Sequence, residues 1–179
     1  MVRRRARGRH RMPMRWAARP GAAYTAATMD QVLLVEDDVA TREWLAGLLG
    51  GEAVLAHACG TVADALSWLR SDRPADIVLT DLGLPDGSGL DVIRAAARRP
   101  GCEVLVLSIF GDEANVLAAI DAGASGYLLK DGSLDSIREH LACLKSGGSP
   151  LSPRIARTLI RRTRGPAAAS ASPQSAAPS

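Results

Sequence analysis

Residues 77–93 read IVLTDLGLPDGSGLDVI, and the fold is decided there. Ile77-Val78-Leu79-Thr80 is a short run with no apolar–polar alternation, which suits a parallel strand covered on both faces. Asp81 stands at its end. Beyond it Leu90, Ile93 and Ala97 recur at helical spacing. A buried strand, an acid at its carboxyl end and an amphipathic helix make one β-α unit.

The same unit repeats on both sides. Val32-Leu33-Leu34-Val35 lies upstream, and residues 104–108 (VLVLS) and 127–130 (YLLK) lie downstream. Residues 53–58 (AVLAHA) read as a weaker, edge-like strand. Helical stripes separate the strands: Leu45, Leu48 and Leu49; then Val62, Ala65, Leu66 and Leu69, with Thr61 and Asp64 as a capping box. Val116, Leu117 and Ile120 follow, and then Leu134, Ile137, Leu141 and Leu144 with Ser133 as N-cap. Strand and helix alternate five times. This spacing predicts right-handed crossovers and a doubly wound α/β fold with a parallel sheet between two helical layers. A last helix is predicted near residues 152–162, capped by Ser152, with Pro153 in its first position and Ile155, Leu159 and Ile160 as a narrow apolar edge.

Composition bounds the rest. The chain has 179 residues, 47% of them apolar, enough for one sizeable core. No apolar run reaches the length of a spanning helix, so no membrane association is expected. Cys59, Cys102 and Cys143 are far apart, which excludes a disulfide scaffold and a Cys-rich zinc site. Reduced thiols and a cytoplasmic location are the expectation. The net charge of +3 conceals segregation: residues 1–29 carry +8, residues 30–150 carry −10 and residues 151–179 carry +5. The pI near 9.0 therefore belongs to the two ends and does not mark a basic domain. Residues 1–29 lack the apolar core of a secretory signal and read as a basic, disordered extension, with Met29 as an alternative natural start. The expected organisation is thus 1–29 extension, 30–148 folded domain, 149–165 linker helix and 166–179 disordered Ala/Ser/Pro tail.

In open parallel sheets ligands sit beyond the carboxyl ends of the strands. Glu36, Asp37 and Asp38 follow the first strand, Asp81 follows the third, Ser108 ends the fourth and Lys130 ends the fifth. Clustered carboxylates repel one another unless a cation neutralises them. All-oxygen donors favour a hard ion, and Mg²⁺ takes only one or two carboxylates beside its waters. That leaves Asp81 to attack a phosphoryl group. Lys130 and the metal would neutralise its oxygens, and Ser108 would donate a hydrogen bond.

The segments VLLVEDD (32–38), LTDLGLPDGSGLDVI (79–93), VLVLS (104–108) and GASGYLLKD (123–131) resemble bacterial response regulator receiver domains, over about residues 30–148. The resemblance implies a (βα)5 flavodoxin-like fold with strand order 2-1-3-4-5. It implies that Asp81 is the phosphoacceptor, that Glu36 and Asp37 hold Mg²⁺ with Asp81, and that the backbone carbonyl of Gly83 completes the metal shell. Ser108 matches the switch hydroxyl, Tyr127 the switch aromatic and Lys130 the lysine of the motif. Asp131 departs from the pattern, since many receivers place proline there; the Leu-Lys-Asp form matches the NarL/FixJ-type (LuxR-like) subfamily. Residues 147–162 resemble the linker helix of those regulators, where a LuxR-like helix-turn-helix domain follows. Only fourteen residues follow Gly165, so the expectation is a regulator truncated before its DNA-binding domain, without sequence-specific DNA binding.

The implied function is a two-component response regulator that takes a phosphoryl group from a sensor histidine kinase or a histidine phosphotransfer protein. It would not be an enzyme beyond self-catalysed phosphoryl acceptance and slow autodephosphorylation. On phosphorylation Tyr127 is expected to rotate inward. The face of the fourth and fifth helices (about 112–122 and 133–146) would then change its partners, towards a homodimer or a heterodimer with an intact regulator. Three readings compete. A phosphatase resembling haloacid dehalogenases wants Asp-x-Asp after the first strand, where this chain has contiguous acids. A nucleotide-binding domain wants a Gly-rich turn there. A non-phosphorylated interaction module, or a remnant of a LuxR-type regulator, would not need the acceptor set.

Overall fold

A computed structural model describes residues 30–49, 53–131 and 136–163. Five strands form one sheet: β1 (Asp30–Val35), β2 (Ala53–Cys59), β3 (Ile77–Thr80), β4 (Glu103–Ser108) and β5 (Gly126–Leu129). Their spatial order is β2-β1-β3-β4-β5, and every neighbouring pair is parallel. This is the doubly wound flavodoxin-like arrangement expected from the sequence. Between β3 and the next helix, Gly83–Leu84 and Gly87–Ser88 pair as a small antiparallel ribbon.

The central strands are apolar throughout because each face has its own helical layer. Val32, Leu34, Leu79, Leu105, Leu107 and Leu128 bury against Leu45 of α1 (Val39–Leu48) and against Ile137, Leu141 and Leu144 of α5 (Ile137–Lys145). Leu33, Val35, Val78, Val104, Val106, Tyr127 and Leu129 face the opposite layer. That layer is α2 (Val62–Arg70), α3 (Gly89–Ala97) and α4 (Glu113–Ala122).

Two stripes are rotated from the sequence reading. In α3 the buried residues are Gly89, Val92, Ile93 and Ala96, and Ala97 is exposed. In α4 they are Val116 and Ala119, and Ile120 is exposed. Ser133 and Leu134 lie outside the described residues; α5 is described from Ile137, with Ser136 at its N-cap.

Helix α6 (Pro153–Thr163) packs on the same body. Leu151 bridges to Tyr127, Tyr127 N donates to Pro150 O at 2.9 Å and Ser152 N donates to Tyr127 O at 3.1 Å. Residues 150–152 thus continue the sheet beside β5. Gly126 permits this: a Cβ there would lie 2.8 Å from the Pro150 carbonyl oxygen. The expected edge of α6 is also corrected. Ile155 and Thr158 are buried, Leu159 is half-buried and Ile160 is exposed. Ser152 Oγ accepts a hydrogen bond from Leu129 N at 2.9 Å. The segment expected as a linker is therefore packed, and Ile155 joins the core of Tyr127, Leu129, Val116 and Ala119. Ile155→Ala is expected to cost about 2–5 kcal/mol, read as a lowered midpoint of chemical unfolding. An unchanged midpoint would mean that α6 does not dock.

Candidate functional site

Glu36, Asp81 and Lys130 reach the site because each stands one residue past the end of a strand. The ladder carries on for that one residue. Glu36 N donates to Cys59 O at 2.9 Å, Asp81 N to Val35 O at 3.0 Å and Lys130 N to Ser108 O at 3.0 Å. Their side chains converge. Lys130 Nζ lies 2.6 Å from Asp81 Oδ2 and 2.6 Å from Glu36 Oε2. The contact with Asp81 is a hydrogen bond. The contact with Glu36 is an ion pair whose angles fall outside hydrogen-bond geometry, so both carboxylate oxygens of Glu36 are buried without a hydrogen-bond partner among the described residues.

Asp81 is 7% exposed and Glu36 1% exposed, so neither charge is relieved by bulk water. Burial pushes the Glu36 carboxyl above its ordinary range; Lys130 opposes this and the Asp81 charge adds to it. Burial also penalises the Lys130 ammonium, but the hydrogen bond to Asp81 and the close negative charges of Asp81 and Glu36 outweigh it and hold the group above the usual lysine range. Lys130 is therefore cationic at neutral pH.

One carboxylate oxygen each of Glu36, Asp37 and Asp81 lies within 4.8 Å of the others. Three carboxylates face one ammonium, and the buried oxygens of Glu36 want a donor or a cation. An all-oxygen set with surplus negative charge fits a hard divalent ion. Asp38 is not part of it. Its carboxylate accepts from Thr41 N at 2.8 Å, capping α1, and the Thr41 hydroxyl together with that amide holds it below the ordinary carboxylate range.

The loop after β3 fixes Asp81. Asp81 Oδ1 accepts from Leu82 N at 2.6 Å and, more weakly, from Gly83 N at 3.4 Å. Thr80 Oγ1 donates to Asp81 O at 2.9 Å, and Gly89 N donates to Leu82 O at 2.9 Å. Gly83 is in the ribbon, exposed and opposite Ser88. Ser108 is fully buried, and its hydroxyl accepts from Phe110 N at 3.3 Å.

Tyr127 is the aromatic expected to rotate on phosphorylation. Its ring is already fully buried, and its hydroxyl donates to the Phe110 carbonyl. Burial pushes that phenol up to about 12, with the Ser108 hydrogen bond as a smaller opposing influence. On the α4 side of the expected switching face, Arg162 of α6 pairs with Glu113 at 3.2 Å, and both side chains stay exposed.

Sequence reasoning missed three supports. Arg42 Nη1 donates to the carbonyls of Glu36 (2.5 Å) and Asp37 (3.1 Å), tying down the acidic loop from α1. Asp86 accepts from Val62 N at 2.7 Å and Ala63 N at 2.9 Å, so the ribbon caps α2. Gly89 packs on the Asp81 carbonyl. The glycine-rich run 83–89 pointed to a close approach; nothing in the sequence singled out Arg42.

The family model for the response regulator receiver domain matches residues 32–142. The DNA-binding transcriptional activator DevR/DosR of Mycobacterium tuberculosis is 34% identical over 142 residues, covering 78% of this chain and 65% of that protein. The nitrate/nitrite response regulator protein NarP of Escherichia coli is 35% identical over 141 residues, covering 76% of this chain and 64% of the relative. The chain thus spans less than two thirds of the length of these curated relatives. Among solved structures, a LuxR-family two-component response regulator from Aurantimonas sp. SI85-9A1 superposes with a TM-score of 0.68 at 25% identity, covering 76% of this chain and 99% of that one. No described helix is long and apolar enough to cross a membrane.

Proposed function

Since the chain belongs to the response regulator receiver domain family, with NarL/LuxR-type regulators among its relatives, we propose that it accepts one phosphoryl group on Asp81 from a sensor histidine kinase or a histidine phosphotransfer protein. The observation that carries this is the Lys130 ammonium, 2.6 Å from both Asp81 and the buried Glu36.

An Asp81 carboxylate oxygen attacks phosphorus, the bond from phosphorus to the donor breaks, and an acyl phosphate forms. Asp81 reacts as the anion, so no base is needed to deprotonate it. Hydrogen bonds from Leu82 N and Gly83 N to Oδ1 hold the carboxylate in one orientation. Lys130 offsets negative charge on the incoming phosphoryl oxygens, and Ser108 donates to one of them. Glu36, Asp37 and Asp81, with the Gly83 carbonyl, would hold Mg²⁺, which when bound supplies further charge neutralisation. The chain's own chemistry is limited to phosphoryl acceptance and slow loss to water.

Val39 and the pair Ile109 and Phe110 are exposed just after Asp38 and Ser108, at the strand ends that carry the acids. They give a phosphodonor protein an apolar footing. The cytoplasm, where such donors and Mg²⁺ are found, is the proposed location. The relatives' DNA-binding and transcriptional roles belong to longer proteins. Pairing with a second copy or with a longer relative is the form of output proposed for this chain.

The test is incubation with Mg²⁺ and a small acyl phosphate, followed by intact mass. One added phosphoryl group, released by hydroxylamine, is expected, and none in excess chelator. Uptake in the chelator would contradict the reading. Asp37→Ala should raise the Mg²⁺ concentration needed by at least about tenfold and lose more uptake than Glu36→Ala. The reverse order would reassign the direct ligand.

A further inference from the structure

We propose that His57, Cys59 and Asp64 form a second metal site, which takes an ion of the Zn²⁺ class and ties the edge strand β2 to helix α2. One nitrogen of His57, the sulfur of Cys59 and one carboxylate oxygen of Asp64 lie within 4.8 Å of one another. His57 Nε2 is already 3.3 Å from Asp64 Oδ1. Zn²⁺ bonds to such donors place neighbouring ligand atoms of a tetrahedron about 3.3–3.8 Å apart. Small side-chain rotations would close the set.

A backbone irregularity brings these residues together. β1 pairs Val32 with Leu55 but Leu33 with His57, so Ala56 has no partner and the register slips by one residue. Without that bulge His57 and Cys59 would share the face of Leu55, which packs with α1 and α5. With it, they lie opposite Leu33 and Val35, on the face covered by α2. Bulges are uncommon in parallel pairs and serve to re-aim side chains. Here the side chains re-aimed are a histidine and a cysteine, and Asp64 meets them from the first turn of α2.

The surroundings hold the ligands in place. The His57 ring stacks on Trp68, with centroids 4.4 Å apart and planes 1° from parallel, and Arg73 covers Trp68 at 4.7 Å. Stacking limits the ring to rotation in its own plane. Cys59 is buried and its thiol contacts Thr61 O at 4.0 Å, a long sulfur hydrogen bond that a metal would replace. Asp64 is half exposed and opens the site to solvent. Three protein donors leave a fourth position for water. On binding, the S–H bond of Cys59 breaks, a metal–sulfur bond forms and the proton goes to solvent; the neutral imidazole contributes a lone pair. The mixed N, S, O set separates this site from the all-oxygen cluster at Asp81, because thiolate selects zinc-class over hard ions.

The full chain, reduced and in excess Mg²⁺, should be titrated with Co²⁺. One equivalent should give a near-ultraviolet thiolate-to-cobalt charge-transfer band that Zn²⁺ removes by displacement. Cys59→Ser should abolish the band. Since that core change could disturb folding, His57→Ala and Asp64→Ala are the second arm, and each should weaken binding by at least about tenfold. Cys102→Ser, Cys143→Ser and Asp81→Asn should leave the band intact. Absence of the band, or a band of unchanged affinity in His57→Ala, would overturn the proposal and leave His57 and Asp64 as a surface ion pair beside a core cysteine.

Discussion

Asp81→Asn is expected to take up no phosphoryl group under conditions where the parent chain takes up one. An amide oxygen is a poor nucleophile, and of the two neighbouring acids Glu36 is buried behind the same ammonium while Asp37 is exposed and is the proposed metal ligand. The side chain keeps its shape, and the amide oxygen can still accept from Leu82 N. The fold should therefore survive, as should the pairing of Lys130 with Glu36. Removing one of two acids on that ammonium lowers its pKa and also relieves repulsion on Glu36, so opposing changes limit the net effect on stability. Intact mass on parent and variant, with circular dichroism as the folding control, decides it. Labelling of the variant at the parent level would assign the acceptor elsewhere.

Gly89→Ala should do the most structural damage of any one-carbon change in the site. A Cβ at Gly89 would lie 1.9 Å from the Asp81 carbonyl oxygen and 2.9 Å from the Leu82 Cα. Both are backbone atoms and cannot turn aside, so either α3 or the Asp81 loop must shift. Overpacking a core costs about 1–3 kcal/mol when side chains can adjust, and this contact belongs at or above the upper end. The shift also pulls on Leu82, whose amide orients the Asp81 carboxylate. Stability and phosphoryl uptake should fall together. Gly47 is the control: a Cβ there meets nothing within 4 Å. Gly47→Ala in α1 should raise stability by about 1 kcal/mol and leave uptake unchanged. A Gly89→Ala chain as stable as its parent would show that the close approach is not maintained.

Much of the site was legible because a parallel sheet turns sequence position into spatial position. Residues at or just beyond the carboxyl ends of buried parallel strands must gather at one edge, so Glu36, Asp37, Asp81, Ser108 and Lys130 could be read from four apolar runs. The order of the strands was not contained in their spacing and came with the family likeness. Which of three adjacent acids turns back to cap α1 depends on backbone angles, and only the folded chain assigned that task to Asp38. Which faces α3, α4 and α6 bury was likewise decided only in the folded chain. Ala96, Ala119 and Thr158 went inside, and Ile120 and Ile160 stayed out. The bulge at Ala56 slips a register by one, the docking of Ile155 joins residues distant in sequence, and the clamp from Arg42, though it spans only five or six residues, depends on how the chain turns into α1. Local pattern determines which segments are strands and helices and which ends carry charge. Close packing between segments decides faces, registers and partners, because those depend on the atoms of the other segment.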